Sequence, residues 1–312
     1  MSNETGKESH VPSPEFFRDM VSIDRIRGHI QALEGPRHPV AAPEALERAA
    51  GYITDHLRCL GYEMSEHRFH DSGREFGNVI ATRPGLSRPE QRVVVLAHFD
   101  TVADSPGADD NASGVALLLE LAGILQQFRF ERTIHLIGVN LEENRNEGEP
   151  GSGTRGSRAL ARYARESGWE IEGVVVLESV AFARDSESQT APAGIPVPVP
   201  KMADFIAVVG NEQSLDLVRG FVGAIERYRI DLPYFAMVVP GNGEALPDSR
   251  RSDHAPFWDQ GYKAVMITDT TNFRSPHYHG PGDTLETLDL VFAAQVCRAT
   301  AGLVVEMAQL VA

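Results

Sequence analysis

The stretch Arg92-Val93-Val94-Val95-Leu96-Ala97-His98-Phe99-Asp100-Thr101 decides how this chain is read. A short, unbroken apolar run with polar residues at both ends is the pattern of a strand buried on both faces, since neither face alternates with solvent. The run stops at an imidazole and a carboxylate. In open α/β sheets ligands bind at the carboxyl ends of strands, so His98 and Asp100 stand where chemistry is expected.

The flanking sequence repeats the theme. Apolar runs at 133–140 and 173–178 end in Glu142-Glu143 and in Glu178, and further strand patterns fall at 63–69, 76–82, 205–209, 235–239 and 263–268. Between them lie helical stretches. Over 43–60, Leu46, Ala50, Ile53, Leu57 and Leu60 recur at three and four, and Gly61 ends the pattern. Helices are also expected over 112–128, 155–167, 212–228 and 287–310. Buried strands alternating with helices predict an α/β fold, a three-layer αβα sandwich around a mixed, mostly parallel sheet. Residues 1–15 read as a mobile leader and 16–312 as one domain. Its 179–250 region, with Pro192, Pro196, Pro198 and Pro200, forms an irregular wall beside the substrate pocket.

Composition narrows the function classes. The 312 residues carry a formal charge of −15, which speaks against a nucleic-acid partner and favours cations, whether metals or ammonium-bearing substrates. Two cysteines, Cys59 and Cys297, make no disulfide framework and read as buried thiols in helices. The first twenty residues lack an apolar signal segment and no apolar run approaches a membrane span, so a cytoplasmic protein without membrane attachment is expected. The 287–310 helix reads as core-packed rather than as an oligomer interface.

Two more polar clusters join the strand ends: Gly107-Ala108-Asp109-Asp110-Asn111-Ala112-Ser113-Gly114, a turn entering a helix, and Ser275-Pro276-His277-Tyr278-His279. Imidazoles and carboxylates without thiolates suit zinc, cobalt or manganese. Five such ligands exceed one tetrahedral zinc with an open position, but suit two metals about 3.5–4 Å apart sharing a carboxylate. The His98-x-Asp100 spacing lets Asp100 hold the far nitrogen of the imidazole and fix its tautomer. Adjacent Glu142 and Glu143 point differently, so one can bind metal while the other handles a proton; spacing does not say which.

HFDT, GADDNASG, the LEE pair, VVLES, SDHAPF and HYHGPGDT occur in this order. In these motifs the chain resembles the di-zinc aminopeptidases of metallopeptidase family 28, which includes glutamate carboxypeptidase and glutaminyl cyclase. The resemblance spans about residues 76–290 and implies a fold like that of the zinc-peptidase phosphorylase/hydrolase group. It implies His98 and Glu178 on one zinc, Glu143 and His279 on the other, and Asp109 bridging, with a cis Asp109–Asp110 peptide. It further implies Glu142 as general base, Asp100 behind His98, and Asp253 supporting the cleft wall. Two positions depart from the pattern. Glu178 stands where the aminopeptidases usually carry Asp, and Ser249 where the secreted enzymes carry a Tyr that steadies the oxyanion. Tyr278 occupies the place of an aromatic of the carboxypeptidase branch and is the candidate substitute. His254 and His277 read as wall residues.

The expected activity is metal-assisted hydrolysis of peptides or small amides, releasing N-terminal amino acids. Carboxypeptidase or deacylase action, glutaminyl-cyclase-like acyl transfer, and a non-catalytic metal-binding relative are the alternatives.

Overall fold

In the computed structural model, which describes residues 19–146, 149 and 151–311, eight strands form one sheet. The expected leader, 1–15, lies outside the described residues. The strands are β1 (Glu63–Asp71), β2 (Arg74–Arg83), β3 (Arg88–His98), β4 (Arg132–Val139), β5 (Glu170–Glu178), β6 (Ile206–Asn211), β7 (Tyr234–Val239) and β8 (Ala264–Thr268), in the order β1-β2-β4-β3-β5-β8-β6-β7. The inner four, β4-β3-β5-β8, are parallel. β1 and β2 add antiparallel at one side, while β6 runs antiparallel to β8 and parallel to β7 at the other. The mixed sheet between helical layers is the one the sequence predicts.

The β3 run shows why. Val93, Val95 and Ala97 join one apolar cluster, and Val94 and Leu96 join a second on the opposite face. Each branched side chain so withdrawn from water contributes about 1.5–3 kcal/mol. The larger cluster is closed by α1 (Ile23–Leu33), α2 (Pro43–Cys59), α3 (Gly114–Leu125), α5 (Leu215–Arg227) and α7 (Leu290–Ala308). The smaller is closed by α4 (Arg155–Glu166) and α6 (His254–Asp259).

Several details depart from the sequence reading. α1 was not anticipated; Ser22 caps it, and Ile26, Ile30 and Leu33 are buried. Glu120, an acid within the apolar α3, accepts from the Ser22 N–H (2.7 Å) and from Nε and Nη2 of Arg25 (2.8 and 2.7 Å), so its charge is paired. Cys297 is buried, but Cys59 is exposed, because it lies at the last turn of α2 on the face away from Leu46, Ile53 and Leu57. The 19-residue α7 is long and apolar enough to cross a membrane, contrary to expectation, yet 72% of its most apolar window is packed inside the protein.

All four parallel strands run out at one edge. His98 sits level with Val139, and Glu178 with Thr268. The chemistry-bearing residues therefore meet along a single line.

Candidate metal centre

His98 closes β3 with its ring buried. Nδ1 lies 3.2 Å from the Asp100 carbonyl and 3.5 Å from its carboxylate, which turns Nε2 toward Asp110 Oδ1 (3.2 Å) and Glu178 Oε1 (3.4 Å). Asp100 does a second job: its two oxygens accept the N–H groups of Glu142 and Glu143 at 3.0 and 3.1 Å. One carboxylate thus fixes the imidazole and the start of the acidic pair. Glu178 is steadied by Ser252, whose Oγ donates to Oε2 at 2.6 Å.

The second group forms around His279, whose Nε2 lies 3.1 Å from Glu143 Oε2 and 3.5 Å from Asp110 Oδ2. Asp110 therefore faces both imidazoles, one oxygen to each. The two candidate donor groups are His98, Asp110 and Glu178, and Asp110, Glu143 and His279.

Here the sequence reading is corrected. Asp109 points away; its Oδ1 accepts the Ala181 N–H at 3.0 Å, and its carboxyl lies against Asp269. Asp110, not Asp109, is the shared carboxylate. The cis peptide is likewise one residue later than expected, at Asp110–Asn111. The cause is the backbone, which leaves the helical path at Asp110 (φ −106°, ψ 89°) and Asn111 (φ −133°, ψ 41°). Asp283 clamps this turn, accepting from the N–H groups of Asp109 (2.8 Å) and Asp110 (3.1 Å). Asn111 ties it to β5, donating to the Leu177 carbonyl (2.8 Å) and accepting from the Gly114 and Ser179 N–H groups (both 3.1 Å). Arg37 holds the turn from the other side, donating to the carbonyls of Phe99 (2.8 Å), Pro106 (3.0 Å) and Gly107 (2.9 Å).

Beside the candidate ligands, Leu141 (φ 57°), Ser179 (φ 47°) and His279 (φ 57°) adopt left-handed backbone. Such conformations cost about 1–3 kcal/mol for non-glycine residues and persist where the surroundings over-determine them. They re-aim the chain directly before Glu142, directly after Glu178 and at His279 itself.

The electrostatics test whether metal fits. Burial pushes the Glu143 carboxyl up to about 7, with the nearby Asp110 adding to the effect. Burial also drives Glu142 well above the carboxylate range. Burial opposes ionisation of Asp110 too, but hydrogen bonds from His279 and His98 outweigh it and hold Asp110 low. His279, despite burial, is raised to about 10 by Asp110 and Glu143. Four clustered carboxylates, Asp110, Glu142, Glu143 and Glu178, face two imidazoles in a water-poor site, and the surplus negative charge calls for cations. Nitrogen and oxygen donors without sulfur suit zinc. The residues fit the metal.

Glu142 belongs to neither donor group and lines two cavities at this edge. One is an apolar chamber of about 830 Å³ including its open mouth, floored by Phe205, Val209, Phe235, Met237 and Met266. Pro192, Ile195 and Val199 of the irregular wall border it. The other is a more polar cleft reaching Asn144, Thr154, Arg158 and Arg250. Tyr278 stands between them, its ring stacked on His279 with centroids 3.8 Å apart. Asp253 is fully buried, which raises its carboxyl to about 7. His254 Nε2 meets the Ser249 carbonyl at 2.7 Å, and His277 packs edge-on to Phe182, so both stay outside the donor groups.

Ser252, Asp283, Asn111, Arg37 and Arg251 were not singled out from sequence. Ser252, Asp283 and Asn111 lie inside the SDHAPF, HYHGPGDT and GADDNASG motifs, where position is the available signal. The two arginines had none.

The family model described as peptidase family M28 matches residues 78–304. The chain belongs to peptidase family M28. Its curated relatives include the Escherichia coli protein YfbL, 30% identical over 88% of this chain and 85% of its own length. A probable zinc metalloprotease from Leptosphaeria maculans is 29% identical over 70% of this chain. The match covers 54% of that relative, so the chain spans about half its length. Fungal leucine aminopeptidases occur among the other relatives. Among solved structures, Macrostomum lignano glutaminyl cyclase shares the fold with a TM-score of 0.76 at 20% identity, covering 100% of this chain and 96% of its own. Solved aminopeptidases share it as well. As an M28 protein the chain is of metallopeptidase type, and its donor set agrees with zinc.

Proposed function

We propose that this chain is a two-zinc exopeptidase that releases N-terminal residues with large apolar side chains. The observation that carries the reading is the position of Asp110, one oxygen toward each imidazole, at the mouth of an apolar chamber. When bound by His98, Asp110 and Glu178 and by Asp110, Glu143 and His279, zinc would polarise the scissile carbonyl and acidify water.

The remaining steps belong to side chains. Glu142, buried and outside both donor groups, takes a proton from the attacking water and delivers it to the leaving amine. Water and amide become acid and amine, and the carboxylate is restored. Tyr278 donates a hydrogen bond to the oxygen on which negative charge gathers. The carboxylates at the chamber mouth hold the substrate's ammonium, and Phe205, Phe235 and Met237 receive its first side chain. Burying a leucyl side chain contributes about 1.5–3 kcal/mol, so leucyl substrates should exceed alanyl ones by about tenfold or more.

A second reading, carboxypeptidase or deacylase action, is favoured by Glu178, whose extra methylene departs from the aminopeptidase pattern. Product masses from matched peptides with free or acetylated N-termini decide. Loss of the first residue only when the amine is free supports the proposal; cleavage that ignores the amine supports the second reading. Acyl transfer would appear as loss of ammonia without chain scission.

A further inference from the structure

We propose that Arg251 is a positioning residue for this hydrolysis: its guanidinium holds the Tyr278 hydroxyl so that the phenol donates toward the reacting carbonyl. The inference rests on the hydrolase reading above.

Arg251 follows a short helical turn, Pro247–Arg250, and borders both the apolar chamber and the polar cleft. Its Nη2 donates to Tyr278 Oη at 3.0 Å and its Nη1 to Asn272 Oδ1 at 2.9 Å, while Asp248 Oδ1 stands 3.5 Å away. A guanidinium has no lone pair to offer, so the phenol oxygen must be the acceptor in this contact. The tyrosine's own proton is left to point elsewhere, and the cavities it borders hold Glu142 and Glu143.

The ring has little freedom to turn away. It lies nearly parallel to the His279 imidazole, tilted 18°, and the guanidinium carbon is 5.8 Å from its centroid. Imidazole fixes the plane and guanidinium fixes the oxygen. A donor held in this way loses no reorganisation energy when charge develops, which is the basis of oxyanion stabilisation.

Neighbouring groups do not offer the same service. Ser249 is buried, and its Oγ donates to the Leu246 carbonyl at 2.7 Å. Arg250 is committed to Asp259 through two bonds of 2.8 and 2.9 Å, and Arg158 to Thr154 Oγ1 (3.0 Å) and the Gly151 carbonyl (3.2 Å).

The test uses the zinc-loaded full chain, with Arg251→Ala, Arg251→Lys, Tyr278→Phe and the Ala/Phe double variant. Substrates are leucyl dipeptides with free or amidated C-termini. Arg251→Ala is expected to lower kcat by about 10–100-fold, less than the roughly 10²–10³-fold of losing an oxyanion donor outright because the phenol itself remains, with KM nearly constant. Lys should restore part of the rate because it retains a donor. Tyr278→Phe should lose at least as much, and the double variant no more than Tyr278→Phe alone. A phosphinic analogue of the tetrahedral species should weaken in parallel with kcat/KM, while binding of leucinol, which has the amine and side chain but no carbonyl, should not. Losses that multiply in the double variant would overturn the proposal. So would a KM rise confined to free-carboxylate substrates, which would make Arg251 a reader of substrate carboxylate. Failure of the underlying reading looks different: the unmutated chain would release no amino acid, or Glu142→Gln would keep full activity.

Discussion

Removing the Ser252 hydroxyl should damage one half of the metal site and spare the other. Its Oγ donates to Glu178 Oε2 at 2.6 Å, and both residues are buried. A hydrogen bond to a charged group contributes about 1.5–3 kcal/mol, and here water has poor access to replace it. At about 1.4 kcal/mol per tenfold, Ser252→Ala should weaken zinc at the His98–Asp110–Glu178 group by about 10–100-fold, the range seen when a ligand's supporting partner is lost. The Asp110–Glu143–His279 group lacks contact with Ser252 among the described residues and should keep its affinity. Competition against a graded series of chelators, with metal content read by mass spectrometry, resolves the two steps. Ser252→Thr, which retains the hydroxyl, serves as control. Equal weakening of both steps, or of neither, would refute the argument that Ser252 acts through Glu178.

Glu142→Gln should reduce kcat by about 10²–10⁴-fold while leaving metal content unchanged, since this residue belongs to neither donor group. Asp110→Asn should lower affinity at both groups, whereas Asp109→Asn should keep the metal stoichiometry and show its effect in thermal stability. In the metal-free protein, Glu143 and Asp253 titrate at about 7 because of burial, so the folded state retains protons that the unfolded chain releases. These two groups therefore contribute a fall in stability as pH rises from about 4.5 to 7, against which the buried His29, His135 and His254, each lowered to about 4, contribute a rise up to about 6.5. His279, raised to about 10, extends the fall above 6.5. Zinc on Glu143 and His279 should displace those protons, so the melting temperature with zinc should gain on that with chelator as pH rises from about 4.5 to 7; a difference that stays constant with pH would contradict it. Val209→Phe, on the chamber floor, should cut turnover of leucyl substrates more than of alanyl ones, measured as a ratio of kcat/KM.

What was legible in the sequence follows from the kind of signal each residue left. His98 and Glu178 were plain because an apolar run cannot continue through an ionisable group, and the strand end tells where that group lies. Asp109 and Asp110 could not be told apart by pattern. Both are buried acids in one turn, and the choice depends on backbone angles and on Asp283, a residue about 170 positions away. Ser252 leaves little signal, being an un-ionised hydroxyl beside the more conspicuous carboxyl of Asp253. α1 gives a weaker signal, since Asp24, Arg25 and Arg27 interrupt the apolar Ile26, Ile30 and Leu33, although their spacing of four and three is helical. Arg251 looked like any surface arginine until the fold placed Tyr278 beside it.

The buried Arg37 carries a consequence for where this protein can be cut. The family-matched segment begins at residue 78, yet Arg37, forty-one positions earlier, secures the carbonyls of Phe99, Pro106 and Gly107 beside the donor residues. Its own N–H also reaches Thr101 Oγ1 at 2.8 Å, and its carbonyl receives the Thr101 N–H at 3.1 Å. The recognisable segment is therefore smaller than the functional one. A fragment trimmed to the family boundary would keep every proposed ligand and lose the staple that aligns two of the loops carrying them. Grafting the motif-bearing segment into another scaffold would meet the same obstacle, because part of its precision is supplied by chain that bears no motif at all.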